Sequence, residues 1–295
     1  MAEKGSHNRP MKNPECALYV VATPIGNLDD ISLRALETLA AADVIAAEDT
    51  RMTARLLAHY RIAAKRLMAL HQHNERAAAE TVLGLLAQGQ NVALVSDAGT
   101  PAVSDPGALV VAAARHAGYR VIPIPGANAA MAALCAAGWP APHFLFYGFL
   151  PNKSAARRNA LEALRALPYT LVFYEAPHRV HASVSDLLTV LGGDRQILFA
   201  RELTKLHETL HECLLADAIA WLDADPNNMR GEFVVLVSGA PQEQDVSQEE
   251  AERVLQLLQD ALPLKQAVAL AAQITGAGRN ALYQRALARK QDRDA

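Results

Sequence analysis

The chain has 295 residues, with 51% apolar and 20% charged side chains and a formal charge of −3 from 28 basic and 31 acidic groups. That length suits two domains of roughly 150 residues each. The composition excludes wholesale disorder and a lone sandwich module, and the near balance of charge excludes a global pull toward nucleic acid or anionic membrane, so any such partner must be held by local patches.

In chain order, a β-rich run Ala17–Ala22 leads into an amphipathic stretch Ile31–Ala41, then a strand Asp43–Ala47. A helical pattern over Asn74–Gln88, a strand at Asn91–Val95, a helix over Gly107–Ala117 and a strand at Tyr119–Ile124 complete a first α/β unit with a largely parallel sheet. Strands at His143–Gly148, Thr170–Glu175, Gln196–Ala200 and Glu232–Val237, with helices over Ala155–Leu167 and His178–Leu191, predict a second, mixed-sheet domain. Beyond the polar segment Gly239–Asp245 only helical periodicity remains. Ser247 and Glu250 have capping-box spacing, and helices over Lys265–Ile274 and Asn280–Ala288 flank Gly276 and Gly278, like a helix-turn-helix. The expected organisation is a disordered segment 1–15, an α/β domain over 16–128, a second over 129–239, a linker 240–246 and a helical domain over 247–295.

Cys16, Cys135 and Cys213 are far apart, lack C-x-x-C spacing and fit a reducing cytosol. The segment Met1–Pro14 lacks the apolar run of a secretory signal, and the longest apolar tract, Gly126–Pro142, is short and rich in small residues. A cytoplasmic protein without a membrane span is expected.

The loop Ser96-Asp97-Ala98-Gly99-Thr100-Pro101-Ala102-Val103-Ser104-Asp105-Pro106-Gly107 directly follows a strand. Open α/β sheets bind ligands outside the carboxyl ends of their strands, and small residues let a ligand approach the backbone. The plainer reading is a strand-to-helix connection with Asp105 capping the next helix, but this loop is longer than that requires. Thr23–Leu28 and Pro123–Ala129 have the same placement. Singly each reads as a turn; three at one edge read as a pocket. Neither a G-x-G-x-x-G fingerprint nor a P-loop is present, which weakens dinucleotide and ATP readings.

Glu48-Asp49-Thr50-Arg51 follows the second strand and brings carboxylates and a guanidinium to that edge, either for chemistry or to cap a helix. Phe173–Arg179 and Ala200–Lys205 lie at strand ends of the second domain, where clustered charge suits a cleft. His71 and His73 alternate, yet a zinc site needs three or four ligands and no partner motif stands elsewhere, so no metal is expected. Lys153, Arg157 and Arg158, with the tail cations Lys265, Arg279, Arg285, Arg289 and Lys290, are either solvated charge or local phosphate contacts.

The ordered succession Val21–Leu28, Ala47–Arg51, Val95–Gly107, Pro125–Ala129, Gly148–Pro151, Phe173–Arg179, Arg201–Lys205, Gly231-Glu232 and Asn280–Tyr283 closely resembles the ribosomal RNA small subunit methyltransferase I family, over about residues 17–290. The resemblance implies the tetrapyrrole-methylase fold, a class III methyltransferase of two α/β domains around a cleft, with a small C-terminal helical domain. It implies S-adenosylmethionine as cofactor, a homodimer, and 2′-O-methylation of a cytidine ribose in the decoding region of 16S ribosomal RNA, with that RNA met within the small ribosomal subunit. Carried over by position, cofactor contacts fall on Pro24, Ile25 and Gly26; on Asp97, Ala98, Gly99, Thr100, Pro101, Ala102 and Val103; on Ala127, Asn128 and Ala129; and on Tyr174 and Glu175.

A ribose hydroxyl is a poor nucleophile near neutral pH and gains from a base or a cation that favours the alkoxide. Strand-end placement and charge type give that work to Glu48 or Asp49 as proton acceptor, with Arg51, Arg201 and Lys205 orienting phosphate or stabilising negative charge, and Glu202 as a further candidate. The alternatives are methylation of a small tetrapyrrole on the same scaffold, and a non-catalytic RNA-binding module.

Overall fold

The structure, a computed structural model, describes residues 16–140, 142–241, 244–259, 261–280 and 282–284. The chain divides after Gly239 into two units, Met1–Gly239 and Ala240–Ala295.

The first unit contains two five-stranded sheets. The leading sheet is formed by β1 (Ala17–Val21), β2 (Val44–Ala47), β3 (Leu67–Ala69), β4 (Val92–Val95) and β5 (Arg120–Ile124), in the order β3-β2-β4-β1-β5. All pairings are parallel. Strands β2 and β4 are buried at every residue, which is why they read as unbroken apolar runs. Helices α1 (Leu33–Ala41) and α2 (Thr50–His59) cover one face, where Ala35, Leu39 and Leu57 pack on Val21, Ile45 and Val95. Helices α3 (Glu75–Ala87) and α4 (Ala108–His116) cover the other through Val82, Leu86, Val110 and Ala114.

The second sheet is mixed, in the order β6-β7-β10-β8-β9, from β6 (Phe144–Phe149), β7 (Thr170–Glu175), β8 (Gln196–Arg201), β9 (Thr209–Leu214) and β10 (Phe233–Val237). β6 runs parallel to β7, and the remaining pairings are antiparallel. On one face lie α6 (Ser154–Leu164), α7 (Val180–Leu191) and α8 (Ala218–Ala224) over Leu171, Phe173, Phe199 and Val235. On the other, α5 (Ala129–Ala137) sets Ala130 and Ala133 against Val172, Leu198, Val234 and Leu236. The apolar tract from Gly126 is therefore a helix whose small side chains lie close to the second sheet.

In the second unit α9 (Gln244–Gln259) and α10 (Leu264–Thr275) bury Ala251, Leu255, Ala267, Val268 and Ala271 together with Leu282. Gly276 ends α10 in a left-handed conformation (φ 73°) that glycine adopts without steric cost. Residues 279–280 and 282–284 are helical, as the second arm of the expected helix-turn-helix requires, and its remainder lies outside the described residues. α9 starts at Gln244, so Ser247 sits within the helix instead of capping it, and the helix reaches into the expected linker. Among the described residues no helix is long and apolar enough to cross a membrane.

Candidate active site between the two sheets

The loops after β1 and β4 are tied by a two-residue bridge. Thr23 N–H donates to the Gly99 carbonyl at 2.9 Å, Gly99 N–H donates to Thr23 at 3.0 Å, and Thr23 Oγ1 donates to the Ser96 carbonyl at 3.1 Å. The loop after β5 joins them: Thr100 Oγ1 donates to the Ala127 carbonyl at 3.2 Å, and Asn128 caps α5 by accepting from Met131 N–H at 3.1 Å. Backbone conformation in the β4–α4 loop is unusual, with positive φ at Gly99 (81°), Ala102 (66°), Ser104 (63°) and Gly107 (128°). Non-glycine residues held there cost about 1–2 kcal/mol each, and such backbone clusters at ligand clamps.

The plainer reading of this loop has Asp105 capping α4. The structure assigns that role elsewhere: Glu75 Oε1, from the start of α3, accepts from the N–H groups of Gly107 (2.8 Å) and Leu109 (2.9 Å). With the α4 amide groups satisfied, the Asp105 carboxyl lies in a cavity, where burial first, then the charge of Glu48, raises its pKa to about 6. That cavity, of about 420 Å³, is walled by Ile25, Gly99, Thr100, Val103 and Asn128 from the loops of the leading sheet and by Ala129, Phe149, Tyr174, Glu175, Leu203, Phe233 and Val234 from the side of the second. Glu175 is 3% exposed and fully engaged: it accepts from Ser183 Oγ and from Ala176 N–H (2.9 Å) and lies 3.3 Å from the Arg179 guanidinium.

A second cavity of about 310 Å³ adjoins it, lined by Thr23, Pro24, Gly26, Leu28, Asp97 and, on α2, Met52, Thr53, Arg55 and Leu56. Both are bordered by Ile25, Ala98, Lys205 and Glu232. Lys205 Nζ donates to Glu202 Oε1 and to Glu232 Oε2, each at 2.9 Å. Burial opposes the ammonium charge, and these two bonds outweigh it, so the lysine pKa lies above its ordinary value. Gly26 has no side chain for a physical reason: a Cβ there would stand 2.5 Å from Lys205 Cγ and 2.8 Å from Thr204 Oγ1. Asn27 N–H donates to Thr204 Oγ1 at 3.1 Å, so this approach joins the two domains.

Of the residues read from the sequence as cofactor contacts, Pro24, Ile25, Gly26, Asp97, Ala98, Gly99, Thr100, Val103, Asn128, Ala129, Tyr174 and Glu175 all line one or both cavities. Pro101, Ala102 and Ala127 stand in the same loops without lining either. Of the charged candidates, Lys205 lines both. Asp49 caps α2 through Arg51 N–H and binds the Arg51 guanidinium, and Arg51 is 84% exposed. Arg201 is spent on the Arg230 carbonyl and Thr209 Oγ1, and Glu202 on Lys205 and on Glu232 N–H. Glu48 is partly buried, and burial followed by the charge of Asp97 raises its pKa. Sequence reading missed Asp105, Glu232, Met52 and Arg55 as cavity residues. The match at Gly231-Glu232 was the one signal available for Glu232.

Within the Lys153–Arg158 cluster Lys153 and Arg158 are exposed, and Arg157 is not free to meet a phosphate. Arg157 is 3% exposed and binds Asp186, 2.6 Å away, and Arg158 binds the other Asp186 oxygen at 2.6 Å. His71 and His73 face each other at 6.0 Å, and among the described residues no group of His, Cys, Asp and Glu is arranged to hold a metal ion.

Fold and site together define a methyltransferase of the tetrapyrrole methylase class: the family model described as Tetrapyrrole (Corrin/Porphyrin) Methylases matches residues 17–219, and the solved methyltransferase CobJ superposes with a TM-score of 0.58 at 25% identity, over 76% of this chain and 95% of that one. The model described as RsmI C-terminal HTH domain matches residues 245–290. Ribosomal RNA small subunit methyltransferase I of Escherichia coli O157:H7 is 53% identical over 275 residues, 93% of this chain and 96% of that protein, and its counterpart in Pseudomonas aeruginosa is 52% identical over 92% and 97%. The chain belongs to the ribosomal RNA small subunit methyltransferase I family.

Proposed function

We propose that the protein transfers the methyl group of S-adenosylmethionine to the 2′-oxygen of a cytidine ribose in the decoding region of 16S ribosomal RNA, acting in the cytoplasm on the small ribosomal subunit. The observation that carries this reading is identity of 53% to ribosomal RNA small subunit methyltransferase I of Escherichia coli O157:H7 over nearly the whole of both chains.

The 420 Å³ cavity suits the cofactor, since small-molecule sites run from about 300 to 1,000 Å³ with apolar walls and few polar groups. Ile25, Val103, Leu203, Phe233 and Val234 offer an apolar bed for a purine, and the Asp105 carboxyl, with no cation partner among the described residues, answers the positive charge of the ligand. S-adenosylmethionine supplies, when bound, an electrophilic methyl group on a positively charged sulfur. The Gly99 amide is held by Thr23, which fixes the loop that would meet the ligand before it arrives.

For the acceptor, Lys205 is the cation placed to favour an alkoxide, steadied by Glu202 and Glu232. Glu48 is the carboxylate we retain as proton acceptor: it lines neither cavity, but it follows β2 at the strand end and its charge reaches Asp105 in the larger one. Asp49, Arg51 and Arg201 serve the helix cap and the strand ends. A homodimer is supported by β9, which among the described residues is an edge strand and exposes Leu210 (44%) and Leu214 (45%) on one face. Incubation with labelled cofactor and undermethylated small subunits tests the function. Label is expected on one cytidine 2′-oxygen of 16S RNA; label on a base, or on no RNA, rejects it.

A further inference from the structure

We propose that the 310 Å³ cavity beside the cofactor cavity receives a single nucleotide turned out of the RNA strand, with Leu28 and Met52 flanking its base and Arg55 holding its phosphate. The inference rests on the methyl-transfer reading above and adds the acceptor's place.

The two cavities meet at Ile25, Ala98, Lys205 and Glu232, so an acceptor in the smaller one would lie next to a donor in the larger. Its size suits one nucleotide and no stacked pair, so a ribose brought next to the methyl donor here would come with its nucleotide turned out of the strand, the arrangement that enzymes acting on a base also use. Leu28 (38% exposed) and Met52 (46% exposed) are large apolar side chains left uncovered at its wall, and a thioether packs well on an aromatic ring. The loop that carries Leu28 is fixed by Tyr60, whose hydroxyl donates to the Leu28 carbonyl.

Charge gives the polarity. Two Arg or Lys side chains line the cavity: Lys205 carries two carboxylates, whereas Arg55, on the exposed side of α2, forms no ion pair among the described residues, its one polar contact among them being Met52 Sδ at 3.9 Å. An unpaired guanidinium at the mouth of a small pocket matches one phosphate group. A tetrapyrrole with several carboxylates would require several free cations, and among the described residues this wall has one.

The test compares wild type with Arg55→Ala and Met52→Trp, both at exposed positions that tolerate substitution. Readouts are S-adenosylmethionine affinity by calorimetry, KM and kcat on undermethylated small subunits, and the salt dependence of KM. Arg55→Ala is expected to raise KM about tenfold and to lower the log–log salt slope by about 0.7 to 0.9, as expected for one lost phosphate contact. Met52→Trp, which fills the cavity, is expected to lower kcat/KM more than tenfold. Both should keep cofactor affinity within about twofold of wild type. Unchanged KM and salt slope in Arg55→Ala, or full activity in Met52→Trp, would overturn the assignment. Wild type that binds no cofactor or methylates no RNA would reject the functional reading itself, and this site with it.

Discussion

Thr23 and Gly99, 76 residues apart in sequence, exchange two backbone hydrogen bonds of 2.9 and 3.0 Å and so lock together the loops that follow β1 and β4. Gly99 makes this exchange at φ 81°, where a Cβ would meet ordinary neighbours, Ile25 Cγ2 at 3.5 Å and Ala127 O at 3.8 Å. The cost of a side chain there is therefore conformational. Gly99→Ala is expected to lose about 1–2 kcal/mol of stability and to weaken cofactor binding, read by thermal denaturation and calorimetry. An unchanged melting temperature and affinity would contradict the role of the bridge.

Gly26 presents the opposite case, since its φ is unremarkable and its surroundings are full. A methyl group 2.5 Å from Lys205 Cγ forces the β1 loop and the Lys205 loop apart. Gly26→Ala is expected to cost about 1–3 kcal/mol and to lower kcat more than it weakens cofactor binding, because the displaced group is the acceptor-side cation. Equal loss in both would indicate general loosening of the domain contact.

Asp105 gives a pH dependence of known sign. Its pKa of about 6 in the folded chain lies above the ordinary aspartate value, so the folded state holds its proton more tightly, and this group's contribution to stability declines as pH rises from about 4 to about 6. Binding of a cationic ligand runs the other way and strengthens as the carboxyl ionises through about pH 6. Calorimetry with S-adenosylmethionine between pH 5 and 8 should show that rise, and Asp105→Asn should flatten it. A pH-independent affinity in wild type would remove Asp105 from the site.

Arg157 and Asp186 are predicted to matter for folding. Asp186→Ala leaves a guanidinium buried without its carboxylate, at a cost of about 3–5 kcal/mol. Burial opposes the Asp186 charge, but its bonds from Arg158, Ser154 and Arg157 outweigh that and lower its pKa, so the stabilisation is present above about pH 4 and lost as pH falls through the folded value. Denaturant melts at pH 7 and at pH 3 check both statements. Selective loss of RNA affinity with intact stability would restore the phosphate-patch reading.

The strands that are buried on both faces were legible in the sequence because unbroken apolar runs such as Val92–Val95 admit few alternatives. β3, at three residues, is too short to leave a period, and α5 is hidden because alanine dominates all of its faces. The strand-end loops were legible through their small residues and their placement. The capping of α4 was not, because Glu75 comes from 32 residues upstream, and only the fold shows that Asp105 is thereby released into the cavity. Arg157 misled for the same reason: its partner Asp186 stands 29 residues away on another helix.

The most direct measurement is a crystal structure of the protein with S-adenosylhomocysteine. Ligand density is expected in the 420 Å³ cavity, against Gly99, Thr100, Asn128 and Tyr174, with its sulfur toward Lys205 and Glu232. A ligand bound elsewhere, or a cavity closed by Phe149 and Phe233 in the presence of saturating ligand, would contradict the placement of the methyl donor between the two sheets.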